Sequence, residues 1–187
     1  MSRATDVYTS PSSATKSSIS TVVTSAAALP PSTGATSCYV DYALSFIVGE
    51  PRHADDAAMI ATIERALQAG IDAAGPGVRI GDISFAIGSV LHDAGYLINT
   101  DFGGHGIGST MHQDPHVPNI GRPGRGYTLR PGLMLALEPW IMADTDELIT
   151  DADGWTLRSA TGCRTAHSEH TIAITEDGVE ILTERPE

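Results

Sequence analysis

Hydrophobic and polar positions first fall into an ordered pattern at residue 38. Residues 39–49, YVDYALSFIVG, are mostly apolar and predict a strand ended by glycine. Asp41 interrupts them, as a turn or edge residue or as a ligand aimed into a site. Over residues 54–73, Met59, Ile63, Ala66 and Leu67 recur at three- and four-residue spacing, which predicts an amphipathic helix. Asp55 and Asp56 open it, where negative charge suits the helix end. Gly70 is a tolerated weak point, and Gly75-Pro76-Gly77 stops the helix. A second helix follows from residue 80 or 81 to about 94, with Ile83, Ala86 or Ile87, Val90, Leu91 and Ala94 as its stripe and Gly95 as its cap. Strands are predicted at 96–98, at 133–139 ending in proline, at 168–175 and at 180–183. Asp153-Gly154 marks a hairpin-type turn. Two central helices flanked by strands predict an α+β domain with its helices on one sheet face.

Composition divides the chain in two. Residues 1–40 hold 17 Ser or Thr, and only Arg3, Asp6 and Lys16 carry charge. The expectation is a disordered, Ser/Thr-rich leader over 1–37 and a folded domain over 38–187. In the leader Arg3 is followed three residues later by Asp6, and the apolar run 22–29 is broken by Thr24 and Ser25, which argues against a signal peptide. The whole chain of 187 residues is 41% hydrophobic, with no apolar stretch of membrane-spanning length, so membrane insertion is not expected. Asp and Glu total 23 against 11 Lys and Arg, a net charge of −12 that repels phosphate and excludes a nucleic-acid partner. Cys38 and Cys163 cannot build a disulfide framework and fit a reducing, cytoplasmic compartment.

The candidate chemistry lies in the second part. Glycines crowd His105 in GGHGIG, so something approaches that backbone closely. No Lys-Ser or Lys-Thr follows, which rules out a phosphate loop. His112 stands seven residues on. Glu138 ends the apolar run LMLALEP, and Glu169 opens the run SEHTIAIT. A buried carboxylate is costly unless it is paired, hydrogen-bonded or metal-bound. Asp41, His105, Glu138 and Glu169 together make an oxygen-rich donor set with one nitrogen. Such a set suits Mn, Fe, Co or Zn in a hydrolytic site, not a cysteine-type structural zinc or a calcium loop. Each acid taken alone is equally an edge or turn residue.

Five ordered segments, VRIGDISFAI, FGGHGIGSTMHQDPHVPN, LRPGLMLALEPW, DGWTLRS and SEHTIAITEDGVEILT, resemble the type I methionine aminopeptidases of peptidase family M24. The resemblance runs over roughly 39–184 and implies the pita-bread fold, here incomplete at its N-terminal half. It implies metal-ligand roles for Asp41, His105, Glu138 and Glu169, with Asp41 as the second, bridging aspartate of the family. His112 matches the histidine that contacts the substrate peptide, and His105 also lines the substrate. The resemblance implies that Glu138 or Glu169 accepts the proton of the attacking water. The family's other metal aspartate lies eleven residues upstream, where this chain has Pro30. One metal position is therefore expected to be retained and the second weak or lost. The implied reaction is removal of the N-terminal methionine from polypeptides, by a monomer. A peptide-binding or non-functional derivative of the same fold, and another dipeptidase on it, are the alternative readings.

Overall fold

A computed structural model of the chain describes residues 19–27, 38–154 and 156–185. Nine residues inside the stretch read as a leader, Ile19–Ala27, form strand β1, and the rest of 1–37 lies outside the described residues. Its backbone pairs antiparallel with β2, Tyr39–Ile47, from Ile19↔Ile47 to Ala27↔Tyr39. Ile19, Thr21, Val22, Val23 and Thr24 are β-branched, a content that favours strand.

Helix α1, Asp56–Asp72, and helix α2, Ile80–Asp93, lie within the predicted ranges. Met59, Ile63, Ala66 and Leu67 of α1 and Ile83, Ile87 and Leu91 of α2 are buried together. Ala86 and Ala94 are not part of that core, so the stripe of α2 runs through Ile87. Gly70 is more than a tolerated weak point. A Cβ there would stand 2.7 Å from Ile87 Cγ1, so its absence sets how closely the two helices approach. The N-terminus of α2 is pinned by Asp82, whose carboxylate accepts from the backbone N–H of Arg79 at 2.9 Å and of Gly124 at 2.8 Å. The start of α1 is tied to the sheet by Arg164, which donates to Asp55 at 2.7 Å and to the fully buried Asp56 at 2.8 Å. That contact holds the Asp55 carboxyl below the ordinary carboxylate value.

The remaining strands are short: β3 Leu97–Ile98, β4 Gly104–Gly106, β5 Gln113–Val117, β6 Met134–Leu137, β7 Trp140–Met142, β8 Leu148–Thr150, β9 Leu157–Ser159, β10 Thr165–His167, β11 His170–Ile174 and β12 Val179–Ile181. A five-stranded sheet has the order β12-β11-β6-β4-β5, and a three-stranded one the order β10-β7-β3. Leu135, Leu137, Ile141, Ala166, Ile172 and Ile174 face the helices from these sheets. β8 and β9 form a separate hairpin, braced by the Asp151–Arg158 ion pair. β4, β5, β7 and β10 fall outside the strands predicted from the sequence. β4, β7 and β10 are three residues long, below the length at which alternation becomes readable, and β5, QDPHV, is polar and carries Pro115, so it shows no apolar alternation. Among the described residues no helix is long and apolar enough to cross a membrane.

Candidate metal centre

β2 meets the β10–β11 segment through three successive reciprocal contacts. At one end the Ser45 hydroxyl donates to the carbonyl of His167 at 2.9 Å and accepts its N–H at 3.0 Å. In the middle, Ala43 and Glu169 exchange backbone hydrogen bonds of 3.3 and 2.9 Å. At the other end the Thr171 hydroxyl accepts the N–H of Asp41 at 2.8 Å and donates to its carbonyl at 2.7 Å. Strand geometry puts residues two apart on one face. The buried face of β2 is therefore Asp41, Ala43 and Ser45, three small or polar residues set against the segment that carries His167 and Glu169. Arg185 braces the same junction, donating to the Ala43 carbonyl at 2.8 Å, to Glu64 at 2.9 Å and to the Ser168 hydroxyl at 3.0 Å.

His105 sits at the centre of β4, between β5 and β6, in register with His116 and Ala136. The glycines around it are required by space. A Cβ on Gly104 would lie 2.3 Å from the Ala136 carbonyl oxygen, and one on Gly106 would lie 2.2 Å from that of Asp114. These contacts let three strands close over a buried imidazole. His105 Nδ1 lies 2.9 Å from the Gly106 carbonyl, so the Nδ1–H tautomer donates there and Nε2 is left as the ligand atom. The exposed ring of His112 lies with its centroid 4.3 Å from that of His105. Glu138 stands between β6 and β7, its carbonyl accepting from Asn119 Nδ2 at 3.1 Å.

The five candidate residues fall into two neighbouring groups. Asp41, His105 and His112 offer ligand atoms within 4.8 Å of one another, and so do Glu138, His167 and Glu169. Nothing in the local sequence pattern marks His167, which ends β10 two residues before Glu169. Glu169 is only 1% exposed, and its Oε1 has no hydrogen-bond partner. Burial raises its carboxyl well above the ordinary value, and the nearby charges of Glu138 and then Asp41 raise it further. Charge from both groups thus converges on one buried, orphaned carboxylate. That is a place for a divalent cation, which would relieve the repulsion and use the unpartnered oxygen. Carboxylate and imidazole donors fit Mn, Fe, Co or Zn.

Residues 32–176 match the sequence profile of Metallopeptidase family M24. Methionine aminopeptidase A of Synechocystis sp. is 43% identical over 143 residues, which are 76% of this chain and 56% of that protein. Methionine aminopeptidase 1 of Bacillus subtilis is 40% identical over 129 residues, 69% of this chain and 52% of that one. The chain thus spans about half the length of these curated relatives. The crystal structure of a methionine aminopeptidase from Thermotoga maritima superposes with a TM-score of 0.80 at 37% identity, covering 89% of this chain and 64% of that one. Its likeness supports the mixed α+β, pita-bread arrangement expected from the sequence.

Proposed function

The chain belongs to metallopeptidase family M24, and from that premise we propose that it is a metal-dependent aminopeptidase acting on the N-terminal methionine of polypeptides. The observation that carries this reading is the buried carboxyl of Glu169, orphaned at Oε1 and flanked by the charges of Glu138 and Asp41. A divalent ion, when bound, lowers the pKa of water and polarises the substrate carbonyl. In this reading Asp41, His105, Glu138 and Glu169 hold that ion at one position. A second position is weak, because the upstream aspartate of the family pattern is replaced by Pro30. Residue 30 lies outside the described residues.

Each residue then has a stated task. Glu169 or Glu138 accepts the proton of the attacking water as the nucleophile forms. His112, exposed beside His105, donates a hydrogen bond to the oxygen of the scissile carbonyl, where negative charge develops. Glu138 or Glu169 returns the proton to the departing amine. The proposed domain spans 38–187. The protein works in this reading as a cytoplasmic monomer without a nucleic-acid partner, the last supported by its net charge of −12.

Release of methionine from a Met-Ala-Ser peptide, with and without Co(II) or Mn(II), tests the proposal. Metal-dependent release that disappears in Glu138→Ala is expected. A folded, metal-loaded protein with no turnover would overturn it in favour of a peptide-binding role on the same fold.

A further inference from the structure

His167 is only 6% exposed, yet its Nε2 has no hydrogen-bond partner. An imidazole nitrogen buried without a partner is costly, and this one is held firmly in place. Its backbone is bracketed on both sides by the Ser45 hydroxyl, and its ring stacks on Trp140 with centroids 5.1 Å apart and planes 18° from parallel. So fixed, Nε2 stands 3.5 Å from Glu138 Oε2. The contact is long for a hydrogen bond between these atoms. Two ligand atoms that each lie about 2.1 Å from one ion can stand up to about 4.2 Å apart, and this separation falls within that reach. Of the other buried polar atoms without a partner around this site, Glu169 Oε1 is the one that belongs to the same ligand group.

Resting on the metal-site reading above, we infer that His167 is a direct ligand of the bound metal together with Glu138 and Glu169. The centre then has two imidazoles, His105 and His167, in place of one. Imidazole suits Zn, Co and Fe, whereas a set made only of carboxylate and water suits Mn and Mg. His167 therefore biases the site toward the nitrogen-preferring ions.

The test uses the full chain and the metals alone. In the Co(II)-loaded protein, each coordinated imidazole contributes one exchangeable, hyperfine-shifted N–H proton resonance. Two such resonances are expected in the unsubstituted protein, one in His167→Gln, and still two in His112→Gln. Equilibrium dialysis of Zn(II) should show His167→Gln weaker by at least about tenfold, the lower end of what loss of even a supporting contact costs. The loss for Mn(II) should be smaller. Thermal unfolding of the metal-free variant checks the fold. If His167→Gln does not fold, the resonance count in the unsubstituted protein and in His112→Gln still decides. A single shifted resonance in the unsubstituted protein, or unchanged Zn(II) affinity in a folded His167→Gln, overturns the inference. No bound metal in the unsubstituted protein overturns the metal site as well. Metal held by two imidazoles without peptide turnover would overturn the aminopeptidase reading alone.

Discussion

The hydroxyl of Thr171 replaces a backbone partner for both polar groups of Asp41, accepting its N–H at 2.8 Å and donating to its carbonyl at 2.7 Å. Valine at 171 has nearly the same shape but can make neither bond. Thr171→Val leaves a buried N–H and a buried carbonyl unpaired, and should cost about 1–3 kcal/mol in urea unfolding. Because Asp41 is then less firmly placed, metal affinity measured by titration should fall as well. Thr171→Ser keeps the hydroxyl and should recover most of both quantities.

The raised carboxyl of Glu169 gives the metal-free protein an unusual pH profile. A group whose folded pKa lies above its ordinary value of 4.5 favours the folded state fully below that value. The advantage is lost as pH rises toward and through the folded pKa. The melting temperature of metal-free protein should therefore decline as pH is raised from 4 toward neutrality, after correction for other carboxyls. Glu169→Gln should flatten that decline and at the same time lose metal. An identical decline in the variant would count against this account of Glu169.

Asp82 should behave in the opposite sense. The backbone N–H groups of Gly124 and Arg79 hold its carboxyl below the ordinary value of 3.8. Its contribution is present above that value and is lost as pH falls through the lower folded pKa. Asp82→Asn should therefore be less stable than the unsubstituted protein at pH 7. The gap in melting temperature should close below about pH 4.

Glycine positions differ in what they tolerate. Gly106→Ala drives a methyl group to 2.2 Å from the Asp114 carbonyl oxygen, a backbone atom that cannot step aside. Overpacking of this kind costs about 1–3 kcal/mol and should displace His105. Denaturation and metal titration should both register it. Gly75→Ala meets only Val78 Cγ2 at 3.7 Å, an ordinary contact, and should stay within about 0.5 kcal/mol of the parent.

Local pattern made part of this arrangement legible in advance. Both helices announced themselves through apolar spacing and through Gly75-Pro76-Gly77 and Gly95. Glu138 and Glu169 stood out as acids bordering apolar strands, and the glycines around His105 signalled a close backbone approach. What could not be read is held by contacts distant in sequence. Ser45 and Thr171 look like ordinary polar residues of apolar strands until the segment facing each is known. His167 lies directly before the recognised SEHT run, and only its burial, its stacking on Trp140 and its unpartnered Nε2 mark it out. β7 and β10 escape notice because a three-residue strand offers too few positions for alternation to show.

The hydroxyl contacts that join β2 to the far end of the domain span 122 residues between Ser45 and His167, and 130 between Asp41 and Thr171. Closing loops of that length comes at an entropic cost before any contact offsets it, so such pairings tend to form slowly. The candidate metal centre is accordingly expected to assemble late in folding, since no short stretch of the chain contains it. A cation added to refolding protein should leave the early collapse unhurried and unchanged. Its effect belongs on the reverse path, where an ion bridging both ends of the domain holds the last-formed junction shut and lengthens the lifetime of the folded state.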